Sequence, residues 1–193
     1  MTIEERRHLA AACGIYCGAC MVYRVNKRGD SELLERMKEQ YIQRLSDVEK
    51  WKRRPGAPPP SKGFDYSQMQ RKVQEGTIDL RCEGCLSDVV ALQCQNCGFR
   101  ECTKERGLTN CSKCPDMPCQ WIIDFNKDGI PHHGDVLTNL QRQKEIGIDS
   151  WLAEQEERWR CVQCESPLAW YDAKCPNCHA AQTHTLSSSP FPA

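Results

Sequence analysis

The chain has 193 residues, 15 of them Cys, and its 26 Lys and Arg balance its 26 Asp and Glu to a formal net charge of zero. Domains that bind nucleic acid usually carry a clear basic excess, so this balance disfavours nucleic acid as the main partner. No stretch approaches the ~18 consecutive apolar residues of a membrane span, and the first seven residues lack the apolar core of a signal peptide. We therefore expect a cytoplasmic protein without a membrane segment.

The cysteines are odd in number and mostly fall in CxxC-type clusters. Two residues between cysteines suit a metal ion held by a tight turn better than a disulfide between distant segments. We predict a small metal-stabilised fold of helices and irregular segments, with a core of cysteine clusters, flanking helices and a C-terminal zinc-ribbon-like β-hairpin. Its predicted parts are a cysteine-rich metal-binding domain at 8–159 with a Pro-rich linker or loop at 52–63, a ribbon unit at 160–182 and a disordered tail at 183–193.

The first cluster along the chain is Cys13-x3-Cys17-x2-Cys20. Radical S-adenosylmethionine enzymes hold a [4Fe–4S] cluster by three cysteines at this spacing, and one iron stays free of cysteine. The rest of this chain lacks alternating strands and helices for a partial barrel, and Ala19 precedes the third cysteine where those enzymes commonly have an aromatic residue. We therefore interpret the cluster as a cofactor site with an open position or with a fourth ligand from elsewhere.

Apolar residues at helical spacing predict a helix over Ser31–Trp51, capped by Asp30 or Ser31. A short helix is predicted near Tyr66–Val73, and two more over Asp135–Ile146 and Asp149–Trp159, separated at Gly147. Apolar side chains of the last two should pack these helices onto the cysteine region: Leu137, Leu140, Trp151, Leu152 and Trp159. The adjacent His132 and His133 are predicted to lie exposed in a loop.

The central region contains an internal repeat. Cys94-x2-Cys97-x4-Cys102 recurs 17 residues later as Cys111-x2-Cys114-x4-Cys119. With Cys82 and Cys85 this makes eight cysteines, enough for two four-thiolate sites, but spacing does not tell how they pair. All-cysteine ligation suits Zn²⁺ and [4Fe–4S] clusters alike. Because the region holds few large apolar residues, we expect it to be unfolded without metal.

The clearest metal motif lies near the C-terminus, where Cys161-x2-Cys164 and Cys175-x2-Cys178 are separated by ten residues. Two CxxC turns facing each other can supply all four positions of a tetrahedral ion and leave none open for chemistry. We predict a structural Zn²⁺ at this site.

The chain also resembles the domain-of-unknown-function 3795 family, a cysteine-rich family without an established activity. The resemblance covers residues 12 to about 120 and rests on the Cys13–Cys20 run, on Cys82-Glu83-Gly84-Cys85 and on the cysteine, Gly and Pro spacing from Cys94 to Cys119. It implies a prokaryotic cytoplasmic protein, often from anaerobes, and supplies no catalytic residues. An anaerobic setting favours iron–sulfur clusters, because oxygen-labile clusters survive there.

No phosphate-binding loop, dinucleotide fingerprint or Ser/His/Asp arrangement is present, so we do not expect an enzyme, and any substrate is unknown. The leading hypothesis is an accessory or adaptor protein whose metal sites build a surface for a protein partner. A second hypothesis is electron transfer or redox chemistry through [4Fe–4S] clusters in residues 13–119. A third is nucleic-acid binding by the ribbon.

Overall fold

The computed structural model describes residues 2–45, 71–95 and 97–186. The Pro-rich segment 52–63 and the end of the first predicted long helix, 46–51, lie outside these residues. The start of the helix predicted near Tyr66–Val73 also lies outside them, whereas residues 71–74 are described and helical. The last seven residues of the predicted tail lie outside them as well. In the described parts, no helix is long and apolar enough to cross a membrane.

The architecture is helical with irregular connections, and no extended strand is formed within the described ranges. The helices are α1 (Ile3–Arg7), α2 (Met21–Arg28), α3 (Ser31–Leu45), α4 (Leu92–Gln95), α5 (Gly98–Glu105), α6 (Gln120–Asn126), α7 (Val136–Ile146) and α8 (Ile148–Arg158). Short 3₁₀ turns cover Cys17–Ala19, Cys111–Lys113 and Pro131–His133.

Local sequence signals account for several helix ends. Thr2 and Glu5 form a reciprocal capping box at the start of α1. The Asp30 carboxylate accepts the Leu33 amide at 2.9 Å, so Asp30 caps α3 as predicted. Helix α2 ends at Gly29 in the left-handed conformation, the usual helix C-terminal arrangement for glycine.

The paired C-terminal helices confirm the sequence interpretation. Gly147 separates α7 from α8 with φ 84° and ψ 159°, a region that side chains strongly disfavour. Trp151, Leu152 and Trp159 are buried with Leu9 and Tyr16 of the N-terminal segment. Leu140 of α7 packs among cysteines in a second apolar cluster, with Leu137 against the same cluster.

The predicted C-terminal β-hairpin is not found among the described residues. Instead, each CxxC turn closes on itself through one isolated β-bridge, Arg160 with Pro167 and Lys174 with Ala181. The segment between the turns leaves the unit: Trp170 is buried in the same apolar cluster as Leu9 and Trp151. A continuous hairpin would keep the Trp170 side chain on the C-terminal unit and away from the protein core. Burial of this large apolar side chain in the core favours the observed path of the segment over a hairpin.

Candidate metal centres

The four C-terminal cysteines form a group that can hold a metal ion. The Sγ atoms of Cys161, Cys164, Cys175 and Cys178 all lie within 4.8 Å of one another. The Sγ atoms are 3.6 Å apart in the Cys161–Cys178 pair and in the Cys164–Cys175 pair. A tetrahedral zinc with Zn–S bonds of about 2.3 Å needs its sulfurs about 3.8 Å apart, so the group fits one tetrahedral ion.

The two turns of this group have the same backbone design. The amides of Gln163 and Asn177 each donate to the first sulfur of their turn at 3.4 Å. The residue after each second cysteine, Glu165 or His179, has a φ near 60°, and its amide donates to the carbonyl oxygen of the first cysteine at 2.9 Å. This tight turn aims backbone N–H groups at sulfur and so favours the thiolate. His179 takes part as a turn residue.

Hydrogen bonds from side chains also favour charged sulfur in this group. Bonds from Ser166, by side chain and backbone, together with the Asn177 side chain lower the pKa of Cys164 to about 5. The Gln182 side-chain amide donates to Cys161 Sγ at 3.3 Å. Since metals bind the thiolate form, these donors prepare Cys161 and Cys164 for a cation. At Cys178 a backbone bond from Ala180 acts in the same direction, but burial and the three neighbouring thiols outweigh it and raise the pKa to about 12.

Seven other cysteines, all buried or partly buried, lie near one another, three from the N-terminal segment and four from the central region. We call this set the seven-cysteine group: Cys13, Cys17, Cys20, Cys82, Cys85, Cys94 and Cys97. The thiols of Cys17 and Cys85 lie near each other, and their interaction raises the pKa of Cys17 and lowers that of Cys85 to about 7. Two segments whose cysteines Cys17 and Cys85 are 68 residues apart in sequence therefore meet at one site.

Burial and proximity act together on the thiols of the seven-cysteine group. Burial, then Cys97 and Cys85, raise the pKa of Cys13 well above its usual value. Burial raises the pKa of Cys20 to about 11, with Cys82 adding to the effect. Thiols in such surroundings become good metal ligands only where a cation replaces the lost solvation.

Two helices start immediately after cysteines of this group. Cys20 precedes α2 and Cys97 precedes α5, each in an extended conformation. Backbone N–H groups of the first turn of α2 oppose the rise in the pKa of Cys20, and those of α5 act likewise on Cys97. The positive ends of two helices therefore face the group, which favours bound anionic sulfur.

The last four interior cysteines line one cavity, which we call the four-cysteine pocket: Cys102, Cys111, Cys114 and Cys119. Its volume is about 30 Å³, so a group larger than about two water molecules requires the pocket to widen. The other lining residues are mostly apolar: Phe99, Thr103, Arg106, Leu108, Met117, Trp121 and Ile122. Burial, then Cys119, Cys102 and Cys114, raise the pKa of Cys111 to about 12.

Buried polar contacts fix the turn that carries two of the pocket cysteines. The Cys111 amide donates to Ala12 O at 2.8 Å, which ties the turn to the N-terminal segment. Asn110 is fully buried; its side chain accepts the Ser112 amide at 3.1 Å and donates to Gln143 of α7 at 2.7 Å. At the outer side, Arg106 Nη1 lies 2.8 Å from Cys114 Sγ and Nη2 lies 2.6 Å from Asp116 Oδ2.

The interior cysteines differ in geometry from the C-terminal group. Within the described parts of the chain, which include every cysteine, no other set of three or more Cys, His, Asp or Glu side chains brings all its ligand atoms within 4.8 Å of one another. All 15 cysteines are free thiols. The interior sets are thus close enough to influence one another's pKa values but more widely spaced than one tetrahedral ion requires.

The histidine pair is not exposed as predicted. His133 is buried, and its Nδ1 lies 2.9 Å from Asp128 Oδ2. His132 stacks on Trp170 with ring centroids 4.0 Å apart, and its Nδ1 lies 2.7 Å from the Tyr171 hydroxyl. The prediction failed because the partners of His132 come from the C-terminal unit, about 40 residues away in sequence.

The sequence repeat does not correspond to two equivalent sites. Cys94 and Cys97 of the first repeat belong to the seven-cysteine group, whereas Cys102 lies with all three cysteines of the second repeat. A gap of eight residues separates Cys102 from Cys111 within one set, as it separates Cys85 from Cys94 within the other, and this spacing is the signal that could have found the grouping. The grouping of the N-terminal cysteines with Cys82 and Cys85 could not be predicted from spacing, because only the folded chain brings these distant segments together.

Together, the helical frame, the clustered free thiols and the C-terminal four-thiolate group define a cysteine-rich protein with a group that can hold a metal ion. A family model described as "Protein of unknown function (DUF3795)" matches residues 9–124, so the chain belongs to this family. The match contains all cysteines of the seven-cysteine group and the four-cysteine pocket, and the C-terminal group lies outside it. Comparison with curated proteins gave no match, and neither did comparison with solved structures.

Proposed function

We propose that the protein is an iron–sulfur protein that transfers electrons through clusters held by its interior cysteines, with a structural Zn²⁺ at the C-terminal group. The observation that carries the proposal is the contrast between tightly gathered C-terminal sulfurs and more widely spaced interior ones. A single tetrahedral ion draws its four sulfurs together. A [4Fe–4S] cube holds its thiolates farther apart, because four irons and four sulfides lie between them.

The surroundings of the interior cysteines support this assignment. Backbone N–H groups at the starts of α2 and α5 act on Cys20 and Cys97. Hydrogen bonds to sulfur and burial are the main means by which proteins tune the potentials of iron–sulfur clusters. Such bonds also stabilise zinc thiolates, as at the C-terminal group, so the choice of an iron–sulfur cluster rests on the wider spacing of the interior sulfurs.

Electron transfer fits the arrangement better than catalysis does. The two interior sets are neighbours, since Cys111 of the four-cysteine pocket acts on the pKa of Cys13. A cavity lined by Tyr16, His132 and Trp170 has a volume of about 10 Å³, roughly the space of one water molecule, so it does not admit a substrate. The four-cysteine pocket is nearer the surface, with Arg106 exposed beside it. A one-electron carrier protein is therefore the class of partner we propose, in a cytoplasmic setting.

An anaerobic redox titration of the whole protein tests this function. Protein made and purified without oxygen should be brown, contain acid-labile sulfide and be reversibly bleached by dithionite, with an electron paramagnetic resonance signal in the reduced state. A colourless protein that holds only zinc would exclude electron transfer. The adaptor role and nucleic-acid binding stay predictions, and for the latter a steep loss of affinity with salt is expected.

A further inference from the structure

The four-cysteine pocket stands apart from the other cysteine sets. One turn supplies Cys111 and Cys114, α5 supplies Cys102, and Cys119 directly precedes α6. All four line the same cavity. Spacing alone left this grouping open, because each of these cysteines also belongs to a repeat that suggests other partners.

We propose that Cys102, Cys111, Cys114 and Cys119 ligate one [4Fe–4S] cluster, and that Arg106 sets the reduction potential of this cluster. The inference rests on the proposed function and adds two things to it: the four cysteine ligands of one cluster, and a positive charge that raises the reduction potential of that cluster. Four cysteines match the full ligand set of a cube, so this site has no open iron. The mostly apolar lining of Phe99, Leu108, Met117 and Ile122 suits a cofactor that must be kept from water.

The role of Arg106 follows from charge. The step is the addition of one electron from a low-potential one-electron donor, which converts the 2+ cluster core to 1+ with no bond formed or broken. Four thiolates make the oxidised site −2 and the reduced site −3. A guanidinium 2.8 Å from Cys114 Sγ stabilises the reduced state more than the oxidised state and so raises the potential.

The arginine is anchored for this role. Its second terminal nitrogen lies 2.6 Å from Asp116 Oδ2, which fixes the plane of the guanidinium beside the sulfur. Asp116 and Arg106 are both surface residues, so the effect should weaken as ionic strength rises.

Two variants test the proposal on the full chain reconstituted with iron and sulfide without oxygen. Cys114→Ser should lose about four irons per chain and keep the rest, because one cluster is lost or destabilised. Arg106→Gln should keep its iron content while the midpoint potential of one cluster moves to more negative values. Arg106→Lys should recover part of that shift, because it restores the charge without the two-pronged geometry. Arg142→Gln, which removes a surface arginine paired with Glu154, is the matched control and should leave the potential unchanged.

The outcomes separate this inference from the proposed function. A wild-type chain without iron would overturn both. A wild-type chain with iron whose content is unchanged by Cys114→Ser would overturn only the ligand assignment. An Arg106→Gln chain with full iron and an unaltered potential would overturn the role of Arg106. Should Cys114→Ser fail to fold, Arg106→Gln still tests the site, since its exposed side chain can be replaced without opening the core.

Discussion

At the scale of single residues, Gly84 has a conformation and a location that no other amino acid fits. Its φ is 112°, and a Cβ there would lie 2.5 Å from the carbonyl oxygen of His8. The loop carrying Cys82 and Cys85 can therefore approach the N-terminal segment only because residue 84 has no side chain.

We predict that Gly84→Ala destabilises the protein strongly. A left-handed alanine costs about 1–2 kcal/mol, and pressing a methyl group against backbone adds about 1–3 kcal/mol. Gly107→Ala is the matched control, because Gly107 has a φ of 64° and open space around it. This substitution should lose only the free energy of holding alanine in the left-handed conformation, without a clash. Urea unfolding measures both. Equal losses in the two variants would contradict the close approach.

His132 gives the protein a pH dependence of known sign. Burial, then His133, lowers its pKa well below 6.5. The titratable groups around the pair are Asp128, bonded to His133, the Tyr171 hydroxyl, 2.7 Å from His132 Nδ1, and Asp135, which lines the same cavity as His132. A histidine with a folded pKa below its unfolded pKa contributes stability that is fully present above about pH 6.5 and is lost as pH falls below it.

We predict that His132→Phe, which keeps an aromatic ring against Trp170 but cannot titrate, loses less stability than the wild type on acidification. The difference between pH 6.5 and 5.5 should be about 1 kcal/mol, since one proton contributes at most about 1.4 kcal/mol per pH unit. Denaturant unfolding at the two pH values measures it. Parallel pH profiles would show that His132 accepts a proton freely in the folded protein.

At the scale of elements, the C-terminal turns should depend on their metal. Cys161→Ser should lose about one zinc per chain while iron content is kept, because each of the four sulfurs is needed to close a tetrahedral site. Val162→Ser changes a residue of the same turn that is 80% exposed and should keep the zinc. Zinc and iron analysis of both variants measures this. Loss of iron from Cys161→Ser as well would mean that the C-terminal unit and the interior sites form one cooperative unit.

The elements also show how much of this structure is readable from sequence. Helical spacing and the Asp30 cap located α3, and Gly147 marked the break between α7 and α8, because such signals are local. The grouping of Cys17 with Cys85 and the stacking of His132 on Trp170 depend on contacts distant in sequence. The hairpin was predicted wrongly from local strand preference, which the burial of Trp170 in the core outweighed.

At the scale of the whole molecule, the C-terminal unit covers part of the interior cysteine site. Trp170 donates its amide to Ala19 O at 2.9 Å, and its side chain packs in a cluster that Cys17 and Cys20 adjoin. Arg28 and Asp172 form an ion pair at 2.6 Å across the same contact. The segment between the two CxxC turns therefore covers part of the surface beside Cys17 and Cys20, which are partly buried.

We predict that Trp170→Ala both destabilises the protein and exposes the interior centre. Removing a buried tryptophan costs about 3–5 kcal/mol, and water and oxygen should then reach the seven-cysteine group, so the visible absorption should bleach faster in air. Trp170→Phe retains an aromatic ring against His132 and should bleach at nearly the wild-type rate. Identical bleaching rates for Trp170→Ala and the wild type would contradict the shielding role.

The central claim is that interior and C-terminal cysteines hold different metals. X-ray absorption at the iron and zinc edges, on one sample made without oxygen, tests it most directly. We predict about one zinc per chain in an all-sulfur shell with Zn–S near ~2.3 Å, and several irons that show iron neighbours as in a sulfide-bridged cluster. Three or more zinc ions per chain in all-sulfur shells, with no iron–iron scattering, would contradict the account.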